Sequence, residues 1–244
     1  SWAKVAYDRD FLYFAFQFSD KEPHLIRAKN MERGGRNDRD DHAYIGIDTF
    51  LDGRNAFLFE MNALGTQDDA LIADEHMTID SYSWDAVFSS ETVINDDGWS
   101  MEVRIPFRQL RFPEGDDLTF GLWMRRTVNR KNEIQNWPLI PLTYGSGYSD
   151  DMKTVSRYGR LTGIKNIRRG KNIELKPYII SGAQKVRPDL QIKDTESDSN
   201  IDAGFDLKYG LTSNLTLDFT MNTDFAQVEA DNTQINLTRF SLFF

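Results

Sequence analysis

Two neighbouring runs near the C-terminus alternate strictly between apolar and polar residues, and no other feature constrains the fold as much. A short Thr-Ser-Asn turn at 212–214 separates them. The apolar positions are Phe205, Leu207, Tyr209 and Leu211 before the turn and Leu215, Leu217, Phe219 and Met221 after it. Because successive side chains of a strand point to opposite faces, the pattern predicts a β-hairpin with one apolar and one polar face. Either a protein core or lipid must cover the apolar face, and that choice decides the class of protein.

The rest of the chain also predicts strands rather than helices. Aromatic residues make up 13% of the sequence, and turn compositions such as Asp8-Arg9-Asp10 separate short alternating runs. About eight or nine such strands predict an all-β protein with a β-sandwich over residues 1–163. Residues 164–171 are basic and are interpreted as a linker, or alternatively as a juxtamembrane segment that meets anionic headgroups. Residues 172–244 are predicted to form a meander of about three or four long strands.

Composition excludes several classes of function. The chain has 38 acidic and 29 basic residues, a net charge of -9 and no basic half, so we expect no nucleic-acid partner. The absence of cysteine excludes a disulfide scaffold and any thiolate site. The three histidines are scattered, and neither a Gly-x-Ser-x-Gly nor a His-Glu-x-x-His motif is present, so the chain is predicted not to be an enzyme. No apolar run approaches the roughly 18 residues of a transmembrane helix.

The meander has the strand lengths and loop pattern of an outer-membrane barrel. Strands of roughly 9–11 residues can cross a bilayer, and short turns opposite longer loops are typical of such barrels. Three or four strands cannot close a barrel, which needs at least about eight. Two interpretations remain: the chain is the first part of a longer polypeptide, or the meander packs on the sandwich as a soluble sheet. The apolar end at Ser241-Leu242-Phe243-Phe244, with no terminating turn, favours the first.

Several motifs resemble family 9 carbohydrate-binding modules. They are Val5-Ala6-Tyr7-Asp8, Ile47-Asp48-Thr49-Phe50, the segment from Phe59 to Gly65, Trp84-Asp85-Ala86-Val87 and the segment from Gly98 to Pro106. The motifs at 207–212, 224–231 and 236–240 resemble the barrel start of an uncharacterised bacterial family in which such a module precedes an outer-membrane β-barrel. The resemblance implies a carbohydrate-binding-module-like β-sandwich followed by the opening strands of an incomplete barrel. It also implies that the barrel continues past Phe244.

Residue types suggest where such a module would hold a sugar. Sugar rings stack their CH-rich faces on aromatic side chains, while amides and guanidinium groups fix the hydroxyls. The candidate ligand-binding residues are Trp137, Trp84, Tyr82, Asn136, Arg125 and Arg126. The alternative interpretation is that the tryptophans pack in the core and the arginines form ion pairs at a strand end.

Four acidic residues between positions 40 and 52 indicate a possible metal site. Asp40, Asp41, Asp48 and Asp52 are close in sequence, and calcium prefers several oxygen ligands from such loops. The alternative is surface charge neutralised by the interleaved arginine, and no other cofactor is expected.

Together these patterns predict a non-catalytic module of an outer-membrane barrel protein of a Gram-negative cell envelope. The sandwich would lie in the periplasm or at the barrel mouth and recognise a polysaccharide or another partner, and the strands of 172–244 would contact outer-membrane lipid. Two alternatives stay open. One is a protein-interaction or gating domain that binds an envelope protein without sugar, and the other is a secreted accessory domain of a carbohydrate-degrading hydrolase.

Overall fold

A computed structural model describes residues 1–34, 37, 39–141, 150–168, 170, 173–185, 197–210 and 215–222. The chain divides into two compact units, Ser1–Lys171 and Asn172–Phe244. Strands dominate both units, and the all-β prediction is confirmed. In the described part of the chain no helix is both long enough and apolar enough to cross a membrane.

The described residues of the first unit form ten strands. They are β1 (Trp2–Tyr7), β2 (Phe11–Ser19), β3 (His42–Asp48), β4 (Ala56–Asn62), β5 (Gln67–Ile72), β6 (Ser89–Asn95), β7 (Gly98–Pro106), β8 (Asp117–Val128), β9 (Glu133–Trp137) and β10 (Gly159–Lys165). The helices are short: 3₁₀ turns at Pro23–Leu25, Ile79–Ser83, Phe107–Gln109, Asn129–Lys131 and Val155–Arg157, and one α-helical turn, α1 (Asp150–Lys153).

These strands form two antiparallel sheets. The first sheet has the order β1-β2-β7-β6, and the second has the order β10-β8-β3-β4-β5, with β9 also paired to β8. Alternate side chains of both sheets meet in one apolar core, as the period-two pattern of a strand requires. Its fully buried members include Leu12, Phe14, Ile45, Phe59, Trp99, Ile105, Phe120 and Leu122.

The second sheet extends into the segment that the sequence predicts to be a linker. Ile164, at the end of β10, is 1% exposed and belongs to the core. The next residue, Lys165, lies 3.0 Å from the Asp117 carboxylate on β8. The burial of Ile164 therefore moves the end of the sandwich past Gly163.

The second unit contains a three-stranded antiparallel sheet of β11 (Ile173–Lys185), β12 (Ser197–Gly210) and β13 (Thr216–Met221), with β12 in the centre. Leu207 pairs with Leu175 on one side and with Phe219 on the other, so the apolar positions of all three strands share one face. Its most exposed members, between 49% and 77% exposed, are Ile173, Leu175, Ile179, Ile201, Leu217, Phe219 and Met221. The turn at 211–214 and the motifs at 224–231 and 236–240 lie outside the described residues.

Candidate functional site

A row of polar side chains crosses the outer face of the second sheet. The strand register aligns Asn136, Arg125, Tyr44, Glu60 and Asp68, one from each of β9, β8, β3, β4 and β5. We call these five residues the polar row. With neighbouring strands about 4.8 Å apart, the row spans roughly 19 Å. The row faces outward because the alternate residues of β8, β3 and β4, such as Leu122, Ile45 and Phe59, pack in the core.

Most of the polar row is buried despite lying on an outer face. Arg125 is 2% exposed, and Tyr44, Glu60 and Asp68 are 7–8% exposed. Apolar residues pack beside the row in a second cluster, formed by Tyr44, Leu58, Ala70, Trp123, Ile140 and Met152. Buried polar groups are costly unless they are hydrogen-bonded, so the row depends on partners within the protein. Burial also raises the pKa of Asp68 above its usual value.

Asp151, on α1, joins the two residues at one end of the row. Its Oδ1 accepts a hydrogen bond from Arg125 Nη1 at 3.1 Å, and its Oδ2 accepts one from Asn136 Nδ2 at 2.6 Å. Arg125 Nε also donates to Thr127 Oγ1 at 3.3 Å, and the guanidinium carbon lies 5.5 Å from the Tyr44 ring centroid. One carboxylate thus fixes both a guanidinium and an amide on neighbouring strands.

An aromatic pair lies next to the row. Tyr158 stacks on Trp123 with ring centroids 6.0 Å apart and an interplanar angle of 11°, and its hydroxyl donates to the Met152 carbonyl at 2.5 Å. Gly46 makes this approach feasible, because a Cβ atom there would lie 2.6 Å from the Tyr158 hydroxyl oxygen. Burial raises the pKa of Tyr158 well above its usual value, so the phenol stays protonated and keeps donating.

Trp137 ends β9 and remains 48% exposed. It pairs with Met124 on β8, so it points to the opposite face of β9 from Asn136. Its ring packs across Gly159 at the start of β10, where a Cβ atom would lie 2.8 Å from the indole Cη2. Because Gly159 has no side chain, the six-membered ring of the indole can pack closely on it at the sheet edge.

The other predicted ligand-binding residues do not join this group. Trp84 packs on Phe57 and Phe59 of β4, with ring centroids 5.1 and 5.7 Å away, and is partly buried against the core. Tyr82, 49% exposed, precedes it on the β5–β6 connection. Three strand spacings, roughly 14 Å, separate β4 from β9. Trp84 and Trp137 therefore lie near opposite edges of the sheet and do not share one site.

Arg126 points into the sandwich rather than toward Arg125, because adjacent residues of a strand face opposite ways. Its guanidinium lies 5.4 Å from the Phe18 ring centroid and donates to the Ser19 carbonyl at 2.9 Å. Burial lowers its pKa, and Asp20 at 3.7 Å opposes that effect. Arg126 thus serves the packing of the sheets, as the ion-pair alternative predicts.

The four predicted calcium ligands do not form one cluster. Asp41 immediately precedes β3 and Asp48 ends it, so roughly 23 Å of extended chain separates the two pairs. Asp40 Oδ2 accepts hydrogen bonds from Asn30 N at 2.9 Å and Asn62 Nδ2 at 3.0 Å, and Asp41 Oδ1 accepts one from the Asn129 backbone. Near the other end, Asp48 accepts from Gly53 N, and Asp52 accepts from the backbone N–H groups of Arg54 and Asn55. These carboxylates order loops and turns. Among the described residues, no group of three or more His, Asp or Glu side chains is placed to share a metal ion.

Sequence reasoning missed Tyr44, Glu60, Asp68 and Asp151. Tyr44 and Glu60 alternate with apolar residues on their strands, which is the pattern of an ordinary solvated face, whereas Asp68 lies between Gln67 and Asp69 at the polar start of β5. Their burial depends on Ile140 and Met152, which lie about a hundred positions away from Tyr44 in the chain. A signal was available only in Glu60, a charged residue within the otherwise apolar run of β4.

The comparisons with known proteins agree with this architecture. Residues 172–244 match a family described as "Domain of unknown function (DUF5916)". A candidate carbohydrate-binding protein from Bacteroides uniformis ATCC 8492 has a similar structure, with a TM-score of 0.50 and 13% identity over 66% of this chain and 76% of that chain. The chain shares its sandwich fold. At this level of identity the likeness is one of fold alone.

Two further solved structures are less similar. Both are family 9 carbohydrate-binding modules from Caldicellulosiruptor kristjanssonii, one in complex with cellotriose and the other in complex with glucose. Each has a TM-score of 0.44, with identities of 14% and 13%; they cover 66% and 70% of this chain and 72% and 77% of their own. No curated protein sequence matches the chain.

Proposed function

We propose that the sandwich is a non-catalytic glycan-recognition module whose contact surface is the β9 edge around Trp137. The observation that carries the proposal is the exposed indole that packs closely on Gly159. A large exposed apolar surface with a rigid seat favours a partner that covers it, and the CH-rich face of a sugar ring is such a partner. The sandwich likeness to a candidate carbohydrate-binding protein supports the same reading at the level of fold.

Asn136 supplies the polar part of the proposed contact. Its Nδ2 is held by Asp151, so its Oδ1 faces away from that carboxylate. In the part of the chain that the structure describes, no donor reaches this buried oxygen. Because this oxygen is buried, a ligand hydroxyl would reach it only after a local opening at the β9 edge, and it would then supply the hydrogen bond that the oxygen lacks. Because Asn136 and Trp137 point to opposite faces of β9, a ligand that touches both would wrap around the sheet edge.

The second unit is proposed to contact lipid. The shared apolar face of β11, β12 and β13 is largely exposed, whereas the other face carries Lys176, Asp206, Lys208 and Asp218. Alternation of an apolar and a polar face along antiparallel strands is the pattern of outer-membrane barrels. In this proposal the sheet is part of such a barrel in a Gram-negative outer membrane, and the sandwich lies in the periplasm or at the barrel mouth.

A glycan array tests the proposed recognition. The full chain in detergent micelles should bind a subset of immobilised plant and bacterial polysaccharides, and Trp137→Ala should lose most of that signal. Phe50→Ala is the matched control, because Phe50 is also exposed, at 39%, but lies on the β3–β4 connection. An array on which the wild-type chain binds no polysaccharide would overturn the proposal.

A further inference from the structure

A groove of about 670 Å³ lies on the outer face of the first sheet, on the opposite side of the sandwich from the polar row. Two cross-strand rows of outward side chains line it. The first row is Lys4, Ala15, Glu102 and Glu91, and the second is Ala6, Tyr13, Arg104 and Ser89. This volume falls within the roughly 300–1,000 Å³ of ligand sites in proteins.

The depth of the groove comes from small residues at its centre. Ala15 lies in the middle of β2, between the longer side chains of Lys4 and Glu102 on the neighbouring strands. Phe14 and Phe16, which flank it in sequence, are 1% and 4% exposed on the core side and hold β2 in place. The floor is therefore rigid backbone with one methyl group, and its shape exists before any ligand binds.

Two carboxylates beside the groove floor are placed so that they destabilise the sheet. Glu91 and Glu102 are directly opposite each other on β6 and β7, a like-charge pair that destabilises a sheet. Within the described residues neither carboxylate forms an ion pair. Both acceptors remain available on the open face.

The cations of the groove lie over aromatic rings. The Lys4 ammonium is 5.1 Å from the Trp2 ring centroid, and the Arg104 guanidinium carbon is 4.8 Å from that of Phe11. Phe11 in turn lies 6.1 Å from Tyr13, whose hydroxyl donates to Asp8 Oδ2 at 2.8 Å. The groove thus combines two cationic donors, two carboxylate acceptors and one outward aromatic side chain, Tyr13.

These features identify the class of ligand. Two cations and two carboxylates give the lining no net charge, which favours a neutral ligand over an anion or a cation. The groove lies on the face of the sheet, whereas a peptide adds as a strand only at a free edge such as that of β1 or β6, so strand addition would not fill the groove. A groove that offers hydrogen-bond donors and acceptors beside one aromatic side chain, Tyr13, suits a polyhydroxylated ligand.

We infer that this groove is a second glycan site, which binds a neutral oligosaccharide across β1, β2, β7 and β6 independently of Trp137. The inference deepens the proposed function, on which it rests, by giving the same class of ligand a second surface. A chain with one such surface at the β9 edge and another on the outer face of the first sheet could hold two glycan segments at once, and such bivalency raises avidity without any new contact.

Isothermal titration of the full chain in detergent micelles with cellohexaose, xylohexaose and laminarihexaose tests the inference. Ala15→Arg fills the groove from an outward position, and Glu102→Gln keeps the shape while removing one charge. Val93→Ala is the control, since Val93 is 60% exposed on the same sheet outside the groove lining. At least one of the three sugars should bind at two sites, one weakened at least tenfold by Ala15→Arg and by Glu102→Gln and the other removed by Trp137→Ala.

Each other outcome decides a different point. A single site that Trp137→Ala removes and that neither groove variant changes would overturn the groove and leave the proposed function standing. A single site that the groove variants remove and Trp137→Ala leaves intact would support the groove and overturn the placement of the contact at Trp137. No binding of any of the three sugars to the wild-type chain would overturn the groove site. Should Ala15→Arg fail to fold, Glu102→Gln alone decides.

Discussion

Asp151 and Arg125 form an ion pair at 3.1 Å in which the arginine side chain is fully buried and the carboxylate is 16% exposed. The pair connects α1 to β8 of the second sheet, and the same carboxylate holds Asn136 on β9. Asp151, on a single helical turn, therefore fixes the side-chain geometry at one end of the polar row.

Removing the charge of Asp151 should therefore be costly. Asp151→Asn removes one charged partner of the buried Arg125 guanidinium, and breaking a buried pair in this way costs about 3 kcal/mol of unfolding free energy. Urea unfolding followed by tryptophan fluorescence measures the change, because all five tryptophans lie in the first unit. Asp96→Asn, in the exposed β6–β7 turn, should leave the midpoint unchanged. Equal stability of the two variants would show that the pair contributes nothing.

The Asp20 carboxylate should control the stability of the sandwich in acid. Arg130 donates to both of its oxygens at 2.6 and 2.7 Å and holds its pKa well below the usual range. Because the folded pKa lies below the unfolded value of about 3.8, this contribution is fully present above the unfolded pKa and is lost as the pH falls through the folded pKa. Asp20→Asn should cost about 2 kcal/mol at pH 7 and flatten the loss of stability below pH 4. If the unfolding free energy of Asp20→Asn fell below pH 4 as steeply as that of the wild type, this assignment would be contradicted.

Asp69 should act in the opposite direction at a higher pH. Burial raises its pKa to about 6, although Arg33 donates to it at 2.7 Å and Ala86 N at 2.6 Å. Since the folded pKa is above the unfolded value of about 3.8, the folded state keeps a proton that the unfolded state loses. Unfolding free energy should therefore fall between about pH 4 and pH 6, by up to about 1.4 kcal/mol per pH unit from this group.

The difference between Asp69→Asn and the wild type isolates that slope from the other buried carboxylates. The variant should lose less stability than the wild type from pH 4 to pH 6, and the two curves should run parallel above about pH 7. If the unfolding free energies of the variant and the wild type ran parallel over the whole pH range, the slope would come from other groups.

Phe219 and Thr220 are adjacent on β13 and lie on opposite faces of the second-unit sheet, which provides a matched test of lipid contact. Phe219→Lys places a charge on the proposed lipid face, where such substitutions cost about 2–4 kcal/mol near the bilayer centre. Thr220→Lys places the same charge on the polar face. Partition of the full chain into phosphatidylethanolamine–phosphatidylglycerol vesicles should drop for Phe219→Lys only, and equal partition of the two variants would argue against a lipid-facing surface.

Sequence patterns predicted the local structure well, because strand alternation is a local property. The runs at 205–211 and 215–221 give the register in which Leu207 opposes Phe219, and Leu12, Phe14, Phe16 and Phe18 share the core face of β2 as their spacing predicts. The predicted hairpin between Lys4 and Phe18 is present as β1 and β2.

The site was harder to predict because long-range pairing creates it. Residue type identified Trp137, Asn136 and Arg125, yet the same reasoning added Trp84 and Arg126, which the fold turns toward the core and the sheet interface. Asp40 and Asp48 looked like neighbours in sequence, but a strand holds them apart. Only the order of strands in the second sheet brings Asp68 and Asn136 to the two ends of one row.

The most direct measurement of the central claim is the affinity of the full chain for its best array glycan, compared between the wild type, Trp137→Ala and Phe50→Ala. Loss of the seated indole should weaken binding at the β9 edge at least tenfold, about 1.4 kcal/mol, while Phe50→Ala should bind as the wild type does. Equal affinities of Trp137→Ala and the wild type, with both proteins folded, would contradict glycan recognition at the β9 edge.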